Sequence, residues 1–169
     1  MLISEAYLSL NENLHKSDNY GSKGDKWSSK VKELIESLQP SSILDYGCGK
    51  GALARALQVK IAEYDPAIEG KQSLPSPASL VICTDVLEHI EPELLNDVLD
   101  HLEELTQIAL FAVICTRPAK KVLADGRNAH LIVEDWSFWE KQLSKRFKIK
   151  DVKIHGKELE VLLFSRRSA

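Results

Sequence analysis

Three alternating glycines, Gly47, Gly49 and Gly51, follow Asp45 and Tyr46 and enclose Cys48 and Lys50. Glycines in such a turn let backbone amides approach a ligand with no Cβ in the way. A helix starting at Gly51 would add unpaired N–H groups. Asp65 follows 14 residues after Gly51 and is placed to accept hydrogen bonds from ribose hydroxyls. Gly47, Gly49 and Ala52 also satisfy the relaxed dinucleotide pattern G-x-G-x-x-A. Asp45 decides between the two ligands. Its carboxylate, two residues ahead of the first glycine, repels a pyrophosphate and holds an ammonium or sulfonium cation. The plain alternative is a strand-to-helix turn with no ligand. Cys48 matters there by its size, since no base is paired with its thiol.

A second set of side chains could move a proton or hold a metal. Asp85, Glu88 and His89 stand at i, i+3 and i+4. On a helix they share one face. His130 follows in the segment GRNAHLIVEDW. Four such O and N ligands could bind a hard or borderline divalent ion. Asp85 and His130 are the expected catalytic pair, because a hydroxyl acceptor needs a general base. The structural alternatives are that Glu88 or His89 bonds its own loop and that His130 caps a helix starting near residue 134. Arg117, Lys120, Lys121 and Arg127 share one loop with the single acid Asp125. That suits an anionic acceptor, or is a solvated loop. Trp136, Phe138 and Trp139 could stack on a base, but their spacing favours core packing. Tyr20, Gly21 and Trp27 either close over the ligand or pack on the surface.

The elements that must position these groups alternate. Val31, Leu34, Ile35 and Leu38 recur at i, i+3, i+4 and i+7, and Pro40 stops their helix. Strands are expected at 42–46, 59–64, 80–84 and 108–115, and helices at 52–57, from 91 onward and at 134–143. A final hairpin joins 147–154 to 158–164 through His155 and Gly156. Alternation of strand and helix implies a parallel sheet covered on both faces. Ligands then bind beyond the carboxyl ends of the strands, where both sets of residues lie. Residues 1–30 read as an N-terminal extension or lid and 31–169 as one domain.

The stretches SILDYGCGKGALARAL, YDP and LVICTDVLEHI resemble the class I S-adenosylmethionine-dependent methyltransferases, in element order from about residue 31 to 164. The resemblance implies an α/β, Rossmann-like, doubly wound sheet of seven strands, mostly parallel, with the last strand antiparallel. It implies S-adenosyl-L-methionine as cofactor, held by Asp45, Tyr46, Gly47, Cys48 and Gly49 at its methionine end and by Asp65 at its ribose. Pro66 and Ala67 would flank the adenine, and Thr84 and Asp85 would meet the cofactor from the third apolar strand. The family's third strand, with its adenine-contacting acid, is expected to be short or missing, because Gly70, Pro75 and Pro77 crowd that stretch. The segment DVLEH with a later His resembles two metal-using branches, the quinone-biosynthesis O-methyltransferases and the RNA-end 2′-O-methyltransferases. The implied function is methyl transfer to an O or N atom of a small-molecule or glycan-type acceptor. The alternatives are metal-assisted O-methylation of an RNA end or quinone, a non-catalytic cofactor-binding subunit, and, disfavoured by Asp45, a nicotinamide-dependent oxidoreductase. A partner protein could present a larger acceptor.

Composition narrows the field further. The chain has 169 residues, 44% of them hydrophobic, and a net charge of −3. Length and composition fit one ordinary globular domain with a core of its own. The charge excludes a strongly basic nucleic-acid binder, although residues 141–169 carry 9 Lys/Arg against 3 Asp/Glu. No Pro-Cys pair and no Asn/Asp-Pro-Pro-aromatic motif is present, so DNA-base methylation is not expected. No apolar run approaches the ~20 residues of a membrane span. Cysteines at 48, 83 and 115 fit neither a disulfide framework nor a metal knuckle. With no leader read in residues 1–10, a reduced, cytoplasmic protein is the expectation.

Overall fold

The computed structural model describes residues 1–15 and 24–167. Tyr20 and Gly21, read above as part of a lid, lie outside the described residues. The helices are α1 (Glu5–His15), α2 (Ser28–Leu38), α3 (Ala52–Leu57), α4 (Leu95–Leu105) and α5 (Trp136–Leu143). The strands are β1 (Ile43–Tyr46), β2 (Ala62–Tyr64), β3 (Ala78–Thr84), β4 (Thr106–Cys115), β5 (Phe147–His155) and β6 (Glu158–Ser165). Short 3₁₀ turns occupy Gly24–Trp27, Leu87–His89 and Pro92–Leu94.

The sheet runs β2-β1-β3-β4-β6-β5. The first four strands are parallel, and β6 lies antiparallel to both β4 and β5. This is the expected α/β architecture with a terminal hairpin. The described residues form six strands where seven were expected. No strand forms between β2 and β3. A parallel crossover needs a dozen or more residues before its strand even begins, and this stretch is too short. The chain instead doubles back on itself: Asp65 N–H donates to Lys71 O at 3.0 Å and Lys71 N–H to Ile68 O at 3.0 Å.

Period-two alternation sorts β1 between two cores. Leu44 and Tyr46 join Val81, Cys83 and the α4 stripe of Leu95, Val98, Leu99, Leu102 and Leu105. That stripe recurs at helical spacing, which is why α4 lies flat on this face. Ile43 turns the other way, toward Leu80, Ile82, Phe111, α2 and α3, and Asp45 shares its parity. Trp139 is fully buried with Leu143 and Phe147, so the aromatic cluster of α5 is core rather than a stacking platform. Trp27 is also a core residue, edge-on to Phe111 at 6.0 Å.

The N-terminal segment is more structured than its polar sequence implied. Tyr7 is buried against Leu123 and Ala129, and its hydroxyl donates to His89 O at 2.7 Å. Ser4 donates from N–H and Oγ to the two oxygens of Glu91, at 2.8 and 2.6 Å. At the opposite sheet edge, Lys148, Lys150 and Lys153 of β5 are exposed. Charges along an open edge discourage further strand pairing, and they account for much of the positive tail. Among the described residues no helix is long and apolar enough to cross a membrane.

Candidate functional site

The glycine turn sits at the carboxyl end of β1 and hangs from β2. Gly47 and Cys48 both donate their N–H to Tyr64 O, at 2.7 and 3.1 Å. Gly47, Gly49 and Gly51 all have positive φ. At Gly47 a Cβ would stand 2.3 Å from Val86 Cγ2, so the turn after β3 packs directly on bare backbone. We expect Gly47→Ala to lose ~1–3 kcal/mol, from left-handed strain plus displacement of Val86, read by urea denaturation. Asp65 closes the turn: its Oδ2 accepts from Gly49 N–H and its Oδ1 from Ala67 N–H, both at 2.9 Å. Each oxygen retains a lone pair for a further donor.

Asp45 lies beneath this turn, only 4% exposed. It pairs in parallel register with Glu63. Lys71 Nζ spans Glu63 Oε1 at 3.1 Å and Gly49 O at 3.3 Å. Burial pushes the Asp45 carboxyl up to about 7; the charges of Glu63 and Asp65 add to that, while Lys71 opposes it. Sequence reasoning missed Glu63 and Lys71. The register of β1 against β2 places Glu63 beside Asp45, and Lys71 reaches Glu63 from the loop after β2; no motif signals either.

A small, mostly apolar cleft opens beside the turn. Tyr46, Gly47, Tyr64, Pro66, Val86 and Ile90 line it from the domain, and Leu2, Ile3 and Tyr7 line it from the N-terminal segment. Tyr46 also meets His101 Nδ1 through its hydroxyl at 3.1 Å. Ala67 is buried behind Pro66. Cys48 turns inward, with Sγ donating to Gly49 O at 3.6 Å. Burial pushes its thiol up, beyond the reach of nucleophilic use. Thr84 ends β3 half-buried, and neither it nor Cys48 lines the cleft.

The proton-transfer and metal candidates separate. Asp85 does not share a helical face with Glu88 and His89. It has φ 56, and only Leu87–His89 forms a turn of 3₁₀ helix. Ligand atoms of Glu88, His89 and His130 lie within 4.8 Å of one another, without Asp85. Glu88 is fully buried; Oε1 accepts from Cys115 N–H at 2.9 Å, and Oε2 is buried with no hydrogen-bond partner. Burial, then the charge of Asp85, pushes its carboxyl up to about 8. His89 Nδ1 bonds Ala129 O at 2.7 Å and His130 Nδ1 bonds Arg117 O at 2.6 Å. A carbonyl accepts only, so each Nδ1 carries the proton and each neutral ring presents Nε2 as the acceptor. The rings meet edge-on with centroids 4.7 Å apart. His130 is therefore no helix cap; Asp135 fills that role by accepting from Phe138 N–H.

Asp85 is exposed; desolvation and then the charge of Glu158 raise its carboxyl, and Lys26 and His130 pull it down. Of the loop cations, Arg127 pairs with Asp125 at 2.7 Å and lies 5.5 Å over the Tyr7 ring. Arg117 donates to Pro118 O at 3.2 Å. Both are engaged locally rather than gathered around the site.

A family model described as a methyltransferase domain matches residues 20–152. No curated protein matches the chain by sequence. Among solved structures, the Burkholderia thailandensis 1,6-didemethyltoxoflavin-N1-methyltransferase, with bound 1,6-didemethyltoxoflavin and S-adenosylhomocysteine, aligns with TM-score 0.70 at 14% identity, over 98% of this chain and 91% of its own. The DhpI–S-adenosylhomocysteine complex aligns with TM-score 0.68 at 13% identity, over 98% and 100%. The magnesium protoporphyrin IX methyltransferase of Synechocystis PCC 6803, also with S-adenosylhomocysteine, aligns with TM-score 0.58 at 18% identity, over 83% and 82%. At these identities the likeness is one of fold.

Proposed function

The chain belongs to the class I S-adenosylmethionine-dependent methyltransferases, and we propose that it methylates an oxygen or nitrogen atom of a small-molecule or glycan-type acceptor. The observation that carries this reading is the buried Asp45 beneath the glycine turn. The residues present fit the cofactor. Asp45 supplies negative charge for its cationic end, Asp65 has lone pairs for the ribose diol, and the cleft between Pro66 and Ile90 suits a purine. Tyr46, Gly47, Cys48 and Gly49 form the backbone cradle, with Thr84 and Asp85 on its third-strand side. The bound cofactor supplies a methyl group already activated on a sulfonium. What remains for the protein is alignment and proton removal. We assign the proton to Asp85 or His130. The start of the N-terminal extension serves as the lid in this reading, supported by Leu2, Ile3 and Tyr7 walling the cleft.

The cluster of Glu88, His89 and His130 favours a metal-assisted version of the same reaction, with an oxygen acceptor such as a quinone-type phenol or an RNA end. Its support is the unpartnered Glu88 oxygen facing two imidazoles oriented by backbone carbonyls, as in metal sites where the second nitrogen is fixed by a carbonyl. Two imidazoles and one carboxylate suit a borderline ion such as Zn²⁺ or Mn²⁺. Such an ion would lower the pKa of an acceptor hydroxyl and so ease removal of its proton. The engaged Arg127 and Arg117 lend the anionic acceptor little support. The chain's place in the cytoplasm is likewise proposed, on its reduced cysteines.

The experiment is incubation with methyl-labelled S-adenosylmethionine and fractionated cell extract. Label must pass to a small-molecule, glycan or RNA fraction in a protein-dependent manner. Cofactor binding with no transfer to any fraction would support the non-catalytic subunit instead.

A further inference from the structure

Tyr7, Leu10 and Leu14 recur at i, i+3 and i+7 and give α1 one apolar face. That face packs on Ala119, Leu123, Ala129 and Leu131, the loop that carries His130. α1 is thus the floor on which this loop is built. The same segment grips the turn after β3 at two points. Ser4 Oγ accepts from Tyr7 N–H at 3.2 Å, as a helix cap does, and donates to Glu91. The Tyr7 hydroxyl donates to His89 O at 2.7 Å. Between these anchors, Ile90 lines the cleft beside Gly47 together with Tyr7.

Tyr7 therefore serves three contacts at once. Its ring walls the cleft. Its hydroxyl holds the main chain of His89. It also packs on Ala129, whose carbonyl accepts from His89 Nδ1 at 2.7 Å. Its own place is fixed: it is 4% exposed, Asn11 Nδ2 donates to its carbonyl at 2.9 Å, and Arg127 lies 5.5 Å over its ring. Phenylalanine would wall the cleft equally well. The hydroxyl is what ties that wall to the histidine.

We propose that Tyr7 is a positioning residue that couples the cofactor cleft to the His89 imidazole: a cofactor seated against its ring fixes the His89 main chain through its hydroxyl and the His89 ring through Ala129. This rests on the reading of the cleft as the cofactor's seat. The physical basis is shared ordering. Without a ligand, α1 is held by a few hydrogen bonds and one small apolar patch. A ligand that buries surface against Leu2, Ile3 and Tyr7 ties α1 down, and the carrier of His89 and His130 is tied down with it. An ion at the cluster of Glu88, His89 and His130 orders the same turn from the other side. Whichever binds first removes part of the ordering cost for the other. By linkage, each then raises the other's affinity by the same factor.

The test uses the full chain, free of metal, with S-adenosylhomocysteine as the probe. In a long-range proton–nitrogen spectrum of the five histidines, the His89 imidazole signal is assigned by its absence in His89→Gln. It should shift when the probe is added. In Tyr7→Phe, which keeps the ring and removes the hydroxyl, that shift should largely vanish at saturating probe, while affinity for the probe in calorimetric titration stays within ~10-fold of wild type. Manganese chloride supplies the second arm. The probe should tighten Mn²⁺ binding by ~5-fold or more in wild type, and Tyr7→Phe should bring that factor close to one. A His89 signal indifferent to a probe that binds would overturn the proposal. So would a shift that survives intact in Tyr7→Phe, because the coupling would then run along the chain from Val86 to Ile90. A wild type that does not bind S-adenosylhomocysteine would sink the cofactor reading and the coupling with it. A wild type that binds the probe but no Mn²⁺ would sink the metal-assisted reading alone, and the imidazole shift would then decide the coupling.

Discussion

Asp45→Asn is expected to weaken cofactor binding and stabilise the protein at the same time. Burial raises the Asp45 carboxyl from 3.8 to about 7. The folded state therefore holds this proton more tightly than the unfolded chain does. Stability from this group is fully present below about pH 4 and is lost as pH rises through about 7. Asparagine has no proton to lose, so the variant should lack that decline. At pH 8 it should exceed the ligand-free wild type by on the order of 1–4 kcal/mol in urea denaturation. The same change removes the charge that faces the cofactor's cation. A charge-assisted contact is worth ~1.5–3 kcal/mol, so affinity for S-adenosylmethionine should fall ~10- to 100-fold in calorimetric titration. A variant that lost both stability and affinity would show Asp45 to be a structural residue. Opposite signs mark a group kept for binding at a cost to folding.

Glu88→Gln should remove a divalent-ion site while leaving the fold intact. Gln retains the oxygen that accepts from Cys115 N–H, so the tie between the turn after β3 and the end of β4 survives. It replaces the unpartnered Oε2 with an amide that cannot ligate as an anion. His89 and His130 stay oriented by Ala129 O and Arg117 O. Affinity for Zn²⁺ or Mn²⁺ in titrations with the chloride salts should fall ~100-fold or more, beyond the 10- to 100-fold typical of supporting residues. Urea denaturation of the metal-free variant at pH 7 should show a stability near that of wild type, because a carboxyl raised to about 8 is already mostly neutral there. A wild type that binds no divalent ion, with activity indifferent to EDTA, would reduce the cluster to loop architecture.

Most of the frame was legible because its signals are local. The α4 stripe, the apolar runs of β3 and β4 and the glycine turn each announce themselves within a dozen residues. Pro75, Pro77 and Gly70 led to the expectation of a short or missing third strand, and the described residues between β2 and β3 form none. Failures came where tertiary contacts decide. Nothing in residues 1–15 spells a helix strongly, and α1 is held by Tyr7 and Ser4 reaching residues some eighty positions away. The i, i+3 and i+4 spacing of Asp85, Glu88 and His89 would put them on one face if that segment were helical. The positive φ of Asp85 instead separates it from them, and Glu88, His89 and His130 meet through a 3₁₀ turn and the loop from the far side of β4. Glu63 and Glu158 were invisible because strand register brings them to the site, and Lys71 because it arrives on the loop after β2.

The central claim is that the glycine turn between Asp45 and Asp65 takes a sulfonium cofactor rather than a dinucleotide. Calorimetric titration of the full chain with S-adenosylhomocysteine, beside NAD, tests it most directly. One molecule of S-adenosylhomocysteine should bind per chain, with the heat lost in Asp65→Ala and none evolved with NAD. Binding of NAD with no response to S-adenosylhomocysteine would contradict the account.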